Sequence, residues 1–359
     1  MIGVTDPAYR RVIAECGSAD VMWSEFVSAA GLARAERRPA LLPMLQRCAG
    51  ERRCVAQLFG NDEAEFETAA GVVRALGCFD GVDINMGCPE RHVTTSQGAG
   101  SALIRDMQLA QRIVLATKRG VNNELPVSVK TRVGFDRIVV RDWLNALLDV
   151  EPAAVTLHLR TRNEMSAVPA HWTDAVAGAA VAEWRRRADA MPLETRTRLL
   201  FNGDVDSLRT GAALAKFWNV DGVMLGRALF GTPWLFDAAN RAAALDAAAA
   251  PLAGDNPPRP PLTRAFDDVV RVALRHIDEH ARQMREAAAA DCRTYETWLT
   301  MRKHLRAYFV PFPAFKATRL ALQESNGPDE ARAIIAAHMA SAPARSADMP
   351  PLMRSSSFI

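Results

Sequence analysis

The sequence predicts a TIM (β/α)8 barrel followed by a small all-α helical bundle, and three observations carry that reading. Short apolar runs recur with helical stretches between them, and nearly every run ends on a polar residue or a glycine. The alternation then stops at an alanine- and proline-rich stretch, beyond which only helical periodicity remains.

The runs are Val21 to Trp23, Cys54 to Leu58, Val82 to Ile84, Val127 to Lys130, Val155 to Leu157, Leu199 to Phe201 and Val223 to Leu225. Their polar ends are Ser24 with Glu25, Gln57, Asn85, Lys130, His158, Asn202 with Gly203, and Gly226 with Arg227. Alternating units of this number favour a barrel over a doubly wound sheet, and in a barrel the carboxyl ends of the strands face a ligand. Near the start, Thr5 or Asp6 reads as a helix N-cap with Pro7 at the first helical position. The segment is therefore the loop after a first strand, and that strand is expected to lie before Met1, which makes the barrel one shortened at its N-terminus.

Amphipathic helices are predicted over Asp62 to Ala75, Met107 to Arg119, Val139 to Leu148 and Ala175 to Ala190, with Asp62 and Glu65 at capping-box spacing. The barrel is assigned residues 1–240, an Ala/Pro-rich linker 241–262, the helical domain 263–340 and a disordered tail 341–359. Within the helical part, Arg293 to Arg319 holds six basic residues and one acidic, with Tyr295, Trp298, Tyr308 and Phe309 interleaved. Such a segment is either a solvated bundle face over core aromatics or a surface whose cations meet phosphates while its aromatics stack on bases.

The 44 basic and 41 acidic residues nearly cancel, so any nucleic-acid surface must be local. No apolar run approaches the roughly 20 residues of a membrane span. The six cysteines include no C-x-x-C pair, which argues against a zinc knuckle or a disulfide framework and fits a reducing, cytoplasmic setting. A monomer is expected, and no metal.

The chemistry concentrates around Gly81 to Pro89. A strand that runs into Asn85, Gly87, Cys88 and Pro89 places a thiol on a turn at the strand's carboxyl end, where it can act as a nucleophile or as a general acid and base. Arg91 to Leu103, rich in glycine and small polar residues, reads as a mobile loop able to close over a substrate, with His92 either a phosphate contact or a surface histidine. Lys130 faces an anionic cofactor ring or a salt-bridge partner, and His158 and Arg160 stand at the same level. Asn202, Gly203, Asp204, Gly226 and Arg227 form a phosphate-binding pair of loops, which by itself implies only a phosphorylated ligand.

Taken together, G-V-T-D-P-A-Y-R at the start, V-A-Q-L-F-G at 55 to 60, D-I-N-M-G-C-P at 83 to 89, G-A-G-S-A-L at 98 to 103, V-K-T-R-V-G at 129 to 134, H-L-R-T-R at 158 to 162, N-G-D-V at 202 to 205 and G-V-M-L-G-R-A at 222 to 228 resemble tRNA-dihydrouridine synthases. The resemblance implies an FMN enzyme, recharged by NADPH, that reduces the C5–C6 bond of selected uridines in tRNA. It implies Cys88 as the acid at C5, and Gln57, Lys130 and His158 on the flavin. Asn202, Gly203, Asp204, Gly226 and Arg227 would hold the FMN phosphate, Asn85 would lie under the uracil, and Arg160 beside it or near the flavin. With that reading, Lys303, Arg306 and Tyr308 become the expected tRNA contacts. The competing readings are a flavin enzyme acting on a free pyrimidine, and a tRNA-binding protein without chemistry.

Overall fold

A computed structural model describes the protein at residues 2–249, 264–292, 295 and 297–341. Each predicted apolar run is a strand: β1 Met22–Ser28, β2 Cys54–Phe59, β3 Gly81–Met86, β4 Val127–Arg132, β5 Ala154–His158, β6 Arg198–Asn202 and β7 Gly222–Met224. They form one parallel sheet in sequence order, curled into a TIM-like barrel, with β1 and β7 as its two edges among the described residues. β3 is buried at every position, as expected of a parallel strand covered on both sides.

The helices before the last strand are α1 Pro7–Gly17, α2 Ala29–Ala33, α3 Arg38–Leu41, α4 Glu63–Leu76, α5 Met107–Gly120, α6 Val140–Leu148, α7 Ala179–Ala188 and α8 Leu208–Trp218. Local chemistry sets their starts. Asp6, not Thr5, caps α1, its side chain accepting the Tyr9 N–H at 2.8 Å with Pro7 next. Asp62 caps α4 through the Glu65 N–H at 3.0 Å. The segment from Arg91 to Leu103 is not an open loop: it folds into short helical turns at His92–Ser96 and Gly100–Arg105, because the Cys88 and Val93 carbonyls hold Ser101 N and Ala99 N.

After β7 come α9 Ala238–Ala249, α10 Phe266–Ala289, α11 Leu299–Phe309, α12 Lys316–Glu324 and α13 Pro328–Ser341. Residues 241–249, assigned to the linker, are therefore helix, since the alanine run outlasts the boundary placed before it. The proline-rich remainder at 250–262, Arg293, Glu296 and the tail from 342 onward lie outside the described residues.

Two apolar cores result. One fills the space between strands β1 to β6 and the barrel helices, with Trp143, Phe66 and Phe201 among its fully buried side chains. The other joins Tyr9 and Ile13 of α1 and Trp234 and Leu235 to Ile277, Met301, Leu305, Tyr308 and Phe309 of the helical region. The first helix thus shares its core with the C-terminal helices, and burial of apolar surface holds the helical region against the barrel. Among the described residues no helix is long and apolar enough to cross a membrane.

Candidate active site

A cavity of about 2630 Å³ opens at the carboxyl ends of the strands and runs through the barrel interior to residues at their amino ends, such as Asp20, Arg53, Asp80 and Arg198, and along α8 and α9. Gln57, Asn85 and Cys88 line one side of it, Lys130, His158 and Arg160 the next, and Asn202, Gly203, Asp204, Gly226 and Arg227 the third. Lys303 and Arg306 of α11 border the same opening. Residues far apart in sequence are brought to one place by the strand order and by the docking of α11.

The Cys88 wall is a hydrogen-bonded chain rising from the barrel interior. Ser128 Oγ donates to Asp83 at 2.5 Å, Gln57 Nε2 donates to the other Asp83 oxygen at 2.7 Å, and Asn85 Nδ2 donates to Gln57 Oε1 at 3.3 Å. Asn85 Oδ1 then accepts the N–H groups of Gly87 and Cys88. This sequence of donors fixes the orientation of both amides and leaves each side-chain NH2 one proton for a ligand. Burial pushes the Cys88 thiol up from its ordinary value, assisted by the Glu90 carboxylate and opposed by the Glu90 backbone N–H and by Arg132.

The facing wall is cationic. Lys130 stands in the barrel lumen, enclosed by protein yet within reach of a small molecule; its pKa is pushed down to about 7 by burial and then by Arg132, against the pull of Asp83. His158 is held well below its ordinary value by burial and by Lys130, Arg132 and Arg160. Because Arg160 Nη1 lies 3.3 Å from His158 Nε2 and an arginine can only donate, Nε2 accepts and the proton of the neutral ring sits on Nδ1.

Asp204 is the carboxylate that organises the third wall. It bonds Arg160 Nη2, takes Arg227 Nη2 at 2.7 Å and accepts the Ala170 N–H at 2.8 Å. Its side chain is thus turned to the arginines. Gly203 beside it has φ +125°, and a Cβ there would come within 2.8 Å of the Ala170 Cβ and 3.1 Å of the His158 ring. Only glycine lets the backbone approach the cavity at this point. Arg160 is more committed than expected, since Nε also donates to the Val168 carbonyl at 2.6 Å.

Two expectations change in the helical region. Tyr308, read as an RNA contact, is 1% exposed and pairs its hydroxyl with His276 Nδ1 at 3.0 Å, so it belongs to the second core. Tyr295, Trp298 and Phe309 are likewise buried. The aromatics are core residues, while Lys303 and Arg306 are exposed. The sequence pattern also did not single out Arg132, a buried guanidinium at the end of β4 that lines the cavity. The signal was there in the alternation Ser128, Lys130, Arg132, which carries the lumen-facing register two residues past the point where the strand was ended.

A curled parallel sheet with a thiol and a cationic wall converging at its strand ends defines a class: a TIM-like barrel with its site in the usual place for that fold. The chain belongs to the dihydrouridine synthase family, whose model matches residues 1–343. It is 30% identical over 336 residues to the "Probable tRNA-dihydrouridine synthase 2" of Bacillus subtilis (strain 168), covering 93% of this chain and 91% of that protein. It is 36% identical over 238 residues to the "Probable tRNA-dihydrouridine synthase" of Staphylococcus aureus (strain COL), covering 66% of this chain and 69% of that one. A solved histamine dehydrogenase from Rhizobium sp. 4-9 superposes with a TM-score of 0.43 at 12% identity, over 67% of this chain and 44% of that chain, a likeness too loose to argue from.

Proposed function

We propose that this protein is an FMN-dependent oxidoreductase that reduces the C5–C6 bond of selected uridines in tRNA, with NADPH as the source of electrons. The observation that carries the reading is that Cys88, the cationic wall and the exposed Lys303 and Arg306 all border one cavity.

The residues fit the cofactor. Lys130, Arg132, Arg160 and Arg227 face the cavity as cations, with Asp204 as the carboxylate between two of them and His158 neutral beside them, so an anion of more than one charge is the complement. The N–H groups around Gly203 and Asp204, with Arg227, suit a phosphate; Lys130 suits the electron-rich edge of the ring; and Gln57 has one amide proton to give. When bound, FMN supplies the hydride that reaches C6, and NADPH restores it.

The chain's own part is the proton and the position. Because burial raises the thiol, Cys88 stays protonated at neutral pH and acts as an acid rather than a nucleophile. It gives its proton to C5, so that one hydride and one proton together saturate the bond, and water returns the proton to the thiolate. Asn85 directs its remaining N–H to the base. The uridine must leave its stack to arrive there, while Lys303 and Arg306 hold phosphates at the rim.

The test is mass spectrometry of unmodified tRNA after incubation with protein, FMN and NADPH, beside Cys88→Ala. Dihydrouridine from the wild type and a steep loss in the variant is the expected result. Equal product from both would overturn the role of Cys88, and flavin-loaded protein that forms none would overturn the reaction.

A further inference from the structure

The turn that carries Cys88 is held at every backbone polar group it has. Asn85 Oδ1 takes the N–H groups of Gly87 and Cys88, while Ser101 gives its N–H and its Oγ to the Cys88 carbonyl at 3.1 and 2.9 Å. The carbonyls on either side of Cys88 go to two arginines from neighbouring strand ends. Arg132 Nε donates to Gly87 O at 2.8 Å, and Arg162 Nε donates to Pro89 O at 3.1 Å.

The two arginines differ in what else they touch. Arg162 lies 5.2 Å from the Phe135 ring centre and reaches Asn163 Oδ1 and Thr94 Oγ1 toward the surface. Arg132 is 6% exposed, and its remaining bonds go to the carbonyls of Thr161 and Met165 at 2.9 and 3.2 Å. No carboxylate forms a salt bridge with it among the described residues, and although burial and then Arg160 push its pKa down to about 10, it stays charged at neutral pH in the wall beside the thiol. A buried cation without an anionic partner is expensive, and an anion that forms beside it during turnover is what would offset that cost.

We propose that Arg132 is a positioning residue that fixes the Cys88 turn and sets how readily the thiol gives up its proton. The proposal rests on the reading of Cys88 as the acid. Giving a proton to carbon leaves a thiolate, and the charge of Arg132 stabilises that product at a half-buried site, where water screens it less than in bulk. The other groups facing the thiol are the Glu90 carboxylate, which opposes thiolate formation, and the Glu90 N–H, which favours it. Around Arg132 itself stand Arg160 and Arg162, which repel it, and Glu164, which attracts it. Arg162 holds the turn from the other side, with the rest of its guanidinium turned toward Asn163, Thr94 and the Phe135 ring.

The experiment is the pH dependence of iodoacetamide alkylation of the full chain, read at the peptide containing Cys88 by mass spectrometry. Cys88→Ala serves as the blank for the other cysteines. In Arg132→Met the midpoint moves up, and a midpoint higher by one pH unit lowers the thiolate fraction about tenfold at any fixed pH well below both midpoints. Arg132→Lys returns most of the midpoint, and Arg162→Gln leaves it where the wild type has it. Should Arg132→Met fail to fold, Arg132→Gln offers an N–H to the Gly87 carbonyl while losing the charge and the bonds to the Thr161 and Met165 carbonyls, and the same rise is expected. An unmoved midpoint in folded Arg132→Met or Arg132→Gln overturns the proposal, as does an equal rise in Arg162→Gln, which would mean a loosened turn alone. No cofactor or RNA enters this assay, so a midpoint that rises in the variant of a protein forming no dihydrouridine would sink the proposed reaction while leaving the control of the thiol standing.

Discussion

Asn85 Oδ1 accepts the Cys88 N–H at 2.9 Å, two residues beyond the point where β3 hands over to the turn, and the same oxygen holds the Gly87 N–H at 3.1 Å. One side chain therefore shapes the turn and, through Nδ2, ties it to Gln57 and Asp83. The placement of the thiol and the placement of the amide that would meet the base are one structural decision.

Replacing Asn85 with Ala leaves two backbone N–H groups without an acceptor, a cost of about 1–3 kcal/mol for each one kept from water. We expect a lower Tm and a kcat for dihydrouridine formation reduced by at least about tenfold, with a smaller change in KM, because misplacing the acid weakens the transition state more than binding. Steady-state kinetics on unmodified tRNA decide it. A variant with only KM raised would mean that Asn85 binds substrate and does not place the thiol.

Lys130 makes flavin affinity depend on pH. Its pKa of about 7 means that the free protein carries the charge below 7 and loses it above. An anion beside the amine raises that pKa, so binding takes up a proton, and affinity is full below 7 and weakens as pH rises toward the bound-state value. Titrations followed by flavin fluorescence at pH 6 to 9 are expected to show this fall in the wild type and a weaker, flat response in Lys130→Met. A flat wild-type profile would rule out Lys130 as the anion's partner. The same depressed pKa makes the ligand-free fold gain stability from this group as pH rises from 7 toward the ordinary lysine value, since the unfolded chain then holds the extra proton.

What was legible in the sequence was the scaffold and most of its strand ends, because a parallel strand buried on both sides shows as an apolar run and its polar terminus is visible by contrast. Gln57, Asn85, Lys130, His158 and Asn202 all reach the cavity for that reason. Arg132 was missed because the length of β4 is set by its neighbours. Thr131 pairs with Met86 and Arg132 with His158, and nothing in V-S-V-K marks where that ladder stops. Tyr308 was misplaced for the opposite reason. A count of basic and aromatic residues does not say which face each occupies, whereas the spacing of Met301, Leu305, Tyr308 and Phe309 puts them on one buried side of α11 and leaves Lys303 and Arg306 on the other.

That division of α11 can be measured. Lys303→Ala with Arg306→Ala is expected to weaken tRNA binding and to reduce the slope of log affinity against log salt by about 0.9 for each phosphate that the variant no longer neutralises. Tyr308→Phe, which removes only the hydroxyl bonded to His276, should leave the slope untouched and cost about 1 kcal/mol of stability. If Tyr308→Phe changed the slope while the double variant did not, the faces would have been assigned the wrong way round.

The junction between α1 and the helical region sets the response to acid. His304 is fully buried among Tyr9, Phe230 and His276, and neither ring nitrogen has a hydrogen-bond partner among the described residues. Burial, then His280 and Lys303, push its pKa down to about 3, and His276 and His280 are lowered as well. A histidine depressed in the fold binds fewer protons than in the unfolded chain. Its contribution is therefore present above about 6.5 and is lost progressively as pH falls toward 3. Asp6 runs the other way: burial raises it to about 6, so the fold holds a proton that the unfolded chain releases between roughly 4 and 6, and stability gained there offsets part of the histidine loss. Replacing His304 with Leu removes one of the opposing groups and fills its place with an apolar side chain. The variant is expected to be more thermostable than the wild type at pH 5, with a smaller advantage, or none, at pH 8. Tm measured at both values settles the matter, because an advantage equal at the two pH values would mean that packing, and not the proton, was what His304 cost the fold.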